Sequence, residues 1–301
     1  MLPAAFFKKT IFANNARNVA LAKRFWHIYS SFFKNCFLFN IFLSHRTDIM
    51  LTEKKNGGEM MVYANTFKRR EMKFLLNEEQ FKIVSEGIKP FMTADSYGVS
   101  TILNIYLDND NNDVIRTSLG KPSYREKLRL RSYGEVSDDS TAFLEIKKKF
   151  KGVVYKRRLE LPYKALFDYI NGEKLEIPAE KRQIFEETDY FIRRLELKPA
   201  IVICYDRQAF FGNDDKEFRL TFDGNIRSRR TELDLRKGDF GEPLSNQPFR
   251  VMEVKSAGAV PLWLVKILSA NKIYTSGFSK YGNIYMNEII DNRSEKLCFQ
   301  A

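Results

Sequence analysis

Five stretches of this chain alternate apolar and charged residues with a period of two, the mark of strands whose successive side chains point to opposite faces of a sheet. In Lys127-Leu128-Arg129-Leu130-Arg131 the three cations share one face and the two leucines the other. Phe143 to Lys147 sets Glu145 and Lys147 against Leu144 and Ile146. Val153 to Leu161 sets Lys156, Arg158 and Glu160 against Leu159 and Leu161, with Arg157 the one charge on the apolar side. Phe218 to Asp223 and Val251 to Lys255 follow the same rule, the latter with Met252 and Val254 opposite Glu253 and Lys255. Three cations within roughly 14 Å on one strand, at ~3.4 Å per residue, repel one another unless an anion sits among them. A sheet with one solvated face accounts for any single strand. Solvated faces, however, mix Ser, Thr, Asn and both signs of charge, whereas these strands repeat a face of cations and glutamate. Together they predict a closed or nearly closed antiparallel barrel whose outer face packs on helices and whose lumen is polar.

Other elements fit around these strands. Asn77 is placed to cap a helix with Gln80 at its third position, and Pro90 stops it. Residues 162–171, 178–187 and 260–271 read as helices, the last following Gly258. Ile102 to Leu107 reads as a strand that ends at the acidic, Asn-rich run Asp108 to Asp113. That run lacks the glycine and the closing glutamate of an EF-hand loop, so it reads as a turn.

Charge narrows the partners. The chain of 301 residues carries a formal net charge of +12 and a pI near 9.4, which points to polyanions. No zinc-finger spacing or helix-turn-helix signal accompanies the charge, so no specific nucleic-acid partner is expected. Cys36, Cys204 and Cys298 form no C-x-x-C pair and are odd in number, which argues against a disulfide framework or a zinc site and for a reducing cytoplasm. Both histidines, His27 and His45, precede the strands, so no histidine base or ligand serves them. The Gly57-Gly58 pair lacks the flanking pattern of a phosphate-binding P-loop. Phosphoryl transfer needs neither feature, because it rests on positioning and on charge neutralisation by Arg, Lys and a divalent metal.

The first 60 residues differ in composition and read as an extension ahead of a domain at 61–295. Phe25 to Leu43 is aromatic-rich and near membrane-spanning length, but it contains His27, Lys34, Asn35 and Asn40. A central lysine costs about 2.5–3.5 kcal/mol on insertion, which weighs against an anchor. Met50, Met60 and Met61 are alternative starts, and Thr52 to Glu59 reads as a linker.

The segments Glu71 to Phe74, KLRLRSY (127–133), FLEIK (143–147), YKRRLEL (155–161), CYDRQAF (204–210), FRLTFDGNIR (218–227), VMEVK (251–255) and FSKYG (278–282) follow one another in a telling order. In that order they resemble the polyphosphate polymerase domain of the vacuolar transporter chaperone (VTC) family, within the triphosphate tunnel metalloenzymes, also called CYTH-like proteins. The resemblance covers about residues 66–290 and implies an α+β fold: an antiparallel β tunnel barrel with a polar, basic lumen and flanking helices.

It implies that Lys73, Arg129, Arg131, Lys147, Lys156 and Arg207 contact phosphates, and that Glu253 binds Mn²⁺ or Mg²⁺. Ser279 and Lys280 match a serine and a lysine near one tunnel mouth; where relatives often carry a further lysine, this chain has Gly277. By charge and position alone, Lys127, Arg158 and Arg219 join the candidates for phosphate, and Glu145 is the weaker metal candidate, since a neighbouring cation would also hold it. Ion pairing with Glu145, Glu160, Asp223 or Glu253 is the competing explanation for each cation, but the basic positions outnumber these acids. The implied function is a metal-dependent phosphotransferase of the polyphosphate kinase type. It would move the γ-phosphoryl group of ATP onto a growing polyphosphate chain, with a membrane partner for the product left open. The alternatives are a tripolyphosphatase or nucleoside triphosphatase, and a non-catalytic polyanion-binding protein.

Overall fold

The computed structural model describes residues 70–298 apart from 152 and 246. The extension, with its candidate anchor, its linker, Cys36 and both histidines, lies outside them. Chain order is β1 (Arg70–Leu76), α1 (Glu78–Ile88), β2 (Met92–Asp108), α2 (Asp113–Leu119), β3 (Tyr124–Tyr133), β4 (Thr141–Phe150) and β5 (Val153–Pro162). There follow α3 (Tyr163–Ile170), α4 (Arg182–Leu195), β6 (Lys198–Gly212), β7 (Arg219–Arg229), β8 (Glu242–Pro243), β9 (Arg250–Ser256), α5 (Leu262–Ala270) and α6 (Lys280–Cys298).

The strands form one antiparallel sheet in the order β1-β9-β7-β6-β2-β3-β4-β5, with β8 on β7. Its two ends come together: Lys147 on β4 reaches Glu71 on β1 at 3.6 Å although five strands separate them in that order. The sheet therefore curls, as the period-two pattern requires of a structure that hides a charged face inside and an apolar face under helices. No ladder joins β1 to β5 among the described residues. The stretch after α5 lines β1 instead, through a bridge between Phe74 and Thr275 and an N–H of Ser276 donated to the Lys73 carbonyl at 2.8 Å.

Outside, two apolar layers hold the helices. Leu103, Ile105, Leu128, Leu130, Leu144, Ile146 and Leu159 bury against Tyr163, Leu166 and Ile170 of α3 and Phe191 of α4. Phe74, Leu76, Leu220, Phe222, Met252 and Val254 bury against Val84 and Ile88 of α1 and Leu264 and Leu268 of α5. Arg157, the odd charge on the apolar side of its strand, pairs with Glu187 of α4 at 3.5 Å. A third layer is internal. Ile102, Ile201, Ile203, Ile226 and Val251 on the concave side pack with Ile115 of α2 and with Tyr281 and Ile284 of α6, filling part of the interior.

Three elements differ from the expectation. Strand β2 begins ten residues before Ile102, because its first half is mostly exposed and lacks an apolar alternation, and a register shift between Ala94 and Val99 with Gly98 at φ 61° breaks the pattern further. Helix α4 runs to Leu195 rather than ending at 187, carried by Thr188 and Phe191 on its buried side. The run Asp108 to Asp113 is more than a turn, since it launches α2. The fully buried Asp108 carboxylate accepts the N–H groups of Val114 (2.9 Å) and Ile115 (3.0 Å) and the Tyr281 hydroxyl (3.1 Å). One side chain thus caps a helix and ties α6 to β2. Asp108→Ala should lower stability by about 2–4 kcal/mol, the sum of a lost cap and a lost charge-assisted bond. A urea unfolding midpoint within error of the wild type would refute this role.

Candidate functional site

The concave face gathers most of the predicted residues into three ionic groups. On β3, β4 and β5, Glu145 is the centre. Cross-strand register sets Arg129 opposite Glu145 and Glu145 opposite Arg158. Arg129 meets the Glu145 carboxylate at 2.8 Å, Lys156 at 2.5 Å and Arg131 at 3.8 Å. Burial alone would raise this carboxyl, but Arg129, Arg131 and Lys156 outweigh it and hold it down to about 2. Arg131, itself almost fully buried, also donates to Asn104 Oδ1 at 2.9 Å and to the Tyr205 hydroxyl at 3.0 Å. Arg129 donates to the Tyr106 hydroxyl at 3.0 Å. Burial opposes ionisation of that phenol too, yet Arg129, Arg131 and Lys127 bring it down to about 8.

The second group centres on Asp223. Arg207 grips it through two bonds of 2.6 and 2.8 Å, and Lys280 adds a third at 2.6 Å while lying 4.0 Å from the centre of the Tyr205 ring. The third joins β1 to β9. Lys73, directly opposite Glu253 in the ladder, bonds Glu253 at 3.0 Å and Glu71 at 2.5 Å, and Lys255 meets Glu253 at 2.8 Å. Burial would raise Glu253, but Lys255, Lys73 and Arg207 hold it well below the usual carboxylate range.

Three predicted cations have no carboxylate within 4 Å among the described residues. Lys127 donates to Ser279 Oγ at 3.1 Å, just before α6, and burial pushes its ammonium down to about 8. The Arg158 guanidinium lies over the Phe143 ring and that of Arg219 over Phe211, each at 5.0 Å. Glu160, expected as a pairing acid, is exposed, and its carboxylate meets no cation among the described residues. At Gly277 a β-carbon would meet nothing within 4 Å, so packing does not require the glycine there.

Four residues escaped the sequence reading. Glu71 lies two positions before Lys73 on the same face, a spacing visible in the chain. Tyr205 stands in the same relation to Arg207. Asn104 and Tyr106 sit in an otherwise apolar strand and carried no such signal.

No group of three or more His, Cys, Asp or Glu side chains is placed to hold a metal among the described residues. The pair Glu71 and Glu253 nonetheless suits a hard divalent cation, which takes one or two carboxylates and completes its shell with phosphate oxygens and water. Lys73 bridges the two carboxylates where such an ion would compete.

The depressed Glu145 has a signature in stability. Its folded-state value lies below the ordinary 4.5, so its contribution is complete above that pH and is lost as pH falls toward about 2. Between pH 6 and 3 the wild type should therefore lose more stability than Glu145→Gln. Parallel pH curves for the two would exclude the network as placed.

Comparison with known proteins identifies the family. The family model of the VTC domain matches residues 68–287. Among curated proteins, subunit 2 of the vacuolar transporter chaperone complex of Schizosaccharomyces pombe is 24% identical over an alignment 298 positions long, which covers 79% of this chain and 40% of that protein. This chain thus matches less than half the length of that relative. Among solved structures, the PH1819 protein of Pyrococcus horikoshii OT3 aligns over 73% of this chain and 99% of its own, with 16% identity and a TM-score of 0.40. A protein described as a putative adenylate cyclase from Bacillus halodurans aligns over 69% and 92%, with 13% identity and a TM-score of 0.41. The Mimivirus capping enzyme triphosphatase aligns over 69% and 89%, with 10% identity and a TM-score of 0.29. With most of its length matched by the family model, this chain belongs to the VTC domain family.

Proposed function

We propose that this domain is a metal-dependent polyphosphate polymerase that transfers the γ-phosphoryl group of ATP to the end of a polyphosphate chain. The observation that carries the reading is a tunnel face on which cations outnumber carboxylates while the buried carboxylates Glu145, Asp223 and Glu253 are each held by cations. A linear polyanion suits such a wall, because electrostatic attraction does not depend on its length. Lys73, Arg129, Arg131, Lys147 and Arg207 would surround the reacting phosphates, with the planar arginine forks each meeting two oxygens. Lys127, Lys156, Arg158, Arg219, Ser279 and Lys280 would hold the rest of the chain. Glu253, with Glu71 beside it, would hold Mn²⁺ or Mg²⁺, which when bound neutralises charge on the β- and γ-phosphates.

The acceptor decides between transfer and hydrolysis. Glu145 and Glu253 are kept ionised far below neutral pH and make weak bases for activating water. A terminal phosphate is largely ionised near neutrality and needs little such help. The buried free thiol Cys204 suits a reducing cytoplasm, and no helix among the described residues is long and apolar enough to cross a membrane. A membrane partner that accepts the product is part of the proposal, in line with the complex to which the curated relative belongs.

ATP with Mn²⁺ should yield ADP in step with acid-labile polymer on a gel, and short added polyphosphate should remove any initial lag. Orthophosphate equal to ADP without polymer would make the protein a hydrolase; tight triphosphate binding without ADP would make it a binder. Glu253→Gln should abolish turnover and leave tripolyphosphate binding measurable. Arg129→Ala should weaken that binding as well, by about 1.5–3 kcal/mol for a charge-assisted bond. Burial holds the ammonium groups of Lys127 and, against the pull of Glu145, Lys156 down to about 8, so raising the pH through that value should remove cations from the wall. Tripolyphosphate affinity should fall over that range and fall less steeply in Lys127→Arg, as read by calorimetry.

A further inference from the structure

The inner face of β3, β4 and β5 continues past the residues assigned above. Ladder register sets Arg131 opposite Phe143, Arg129 opposite Glu145, Lys127 opposite Lys147, and then Arg125 opposite Lys149. On β5 the matching positions are Glu160, Arg158, Lys156 and Val154. Followed in that direction, the acids disappear: Glu145 neutralises the middle of the wall, Lys147 reaches only the distant Glu71, and Arg125 and Lys149 have no carboxylate within 4 Å among the described residues. Arg125 lies on the same side as Lys127, whose ammonium feels its charge.

The opposite face of the same strands behaves differently. There Lys148 meets Glu187 at 2.6 Å and Glu126 at 3.5 Å, Arg157 meets Glu187, and Arg194 meets Glu126. The inner face of these three strands thus carries eight cations and the outer face two; both outer ones have an acid partner, whereas on the inner face Glu145 and Glu71 serve only part of the set and leave Arg125 and Lys149 without one among the described residues. Half-buried cations left in a row, with repulsion unrelieved, are the arrangement expected of a surface whose counter-charge comes from a ligand. The geometry of the interior points the same way. Helices α2 and α6 fill the side of the interior walled by β2, β6 and β7, whereas the β3-β4-β5 wall stays polar. From Arg131 to Arg125 that wall spans about 20 Å at ~3.4 Å per residue, longer than one triphosphate needs.

We propose that Arg125 and Lys149 form an outer subsite, beyond the Lys127–Ser279 contact, that binds the distal part of an inorganic polyphosphate chain and gives this protein a preference for long chains over triphosphate. The inference deepens the reading of the tunnel as a polyphosphate site and rests on it.

The test is calorimetric binding of tripolyphosphate and of long-chain inorganic polyphosphate, expressed per chain, to the wild type, to Arg125→Ala/Lys149→Ala and to Lys148→Ala/Arg157→Ala. The last removes the same charge from the outer face and controls for bulk electrostatics. The wild type should favour the long chain. The inner pair should lose at least about tenfold in that preference, the loss expected from two charge-assisted contacts, and the outer pair should keep it. Should the alanine pair melt early, Arg125→Gln/Lys149→Gln keeps the side-chain stems and gives the same reading. No preference in the wild type, or equal loss in both double variants, would overturn the subsite. Oligouridylate bound by the wild type as tightly as polyphosphate, with the same dependence on Arg125 and Lys149, would reassign it to RNA. Absence of polymer from ATP would remove the polymerase reading while this ratio still gives its own answer.

Discussion

Repulsion among like charges on one face of a curled sheet is the constraint on which the rest of this structure depends. Period-two alternation sends Lys127, Arg129 and Arg131 to the same side, and the curl brings the cations of β4 and β5 against them. Glu145 makes that crowding tolerable by receiving Arg129, Lys156 and, at longer range, Arg131. Asp223 does the same for Arg207 and Lys280, and Glu253 for Lys73 and Lys255. Ion pairs this buried are poor sources of net stability, since desolvation offsets much of the Coulomb gain, yet removing one partner leaves an uncompensated buried charge and costs about 3–5 kcal/mol. The carboxylates are therefore fixtures of the wall.

Much of this was legible in the chain, and the exceptions have physical causes. The faces of β3, β4, β7 and β9 were readable because one side is apolar and buried, so a single register is allowed. Arg157 read as a flaw in β5 because its partner, Glu187, lies on a helix about thirty residues along the chain. The first half of β2 was silent because it is held by β6 and buries little on either side. Helix α2 was hidden by the turn-like composition of Asp108 to Asp113, and the decisive fact is the burial of Asp108, which composition does not express. Asn104 and Tyr106 were lost in an apolar run. Only their cross-strand partners, Arg131 and Arg129, make them part of the site.

Ordering by internal acids has a consequence for how a ligand enters. Each cation that a phosphate would claim in the three ionic groups already has a fixed partner, so its position is set before binding, as electrostatic preorganisation requires. A phosphate there does not collect loose side chains. On the proposed reading it would compete with a carboxylate for them, or share them, and a divalent ion held by Glu71 and Glu253, which Lys73 now bridges, would relieve that competition.

The same logic reaches α6. Its first residue, Lys280, is anchored to Asp223, the serine just before it receives Lys127, and Tyr281 reaches Asp108 at the base of α2. A ligand that draws Lys127 or Lys280 toward its own oxygens therefore pulls on the helix that fills the interior beside β2 and β6. The apolar layer of Ile115, Tyr281 and Ile284 resists that pull, because it is buried among Ile102, Ile201 and Ile203. Were a polyanion to bind at this end of the tunnel as proposed, its affinity would depend on how α6 is packed as well as on the cations. A helix that yields would lower that affinity, and one held rigidly in place would keep Lys127 and Lys280 ready for the proposed ligand.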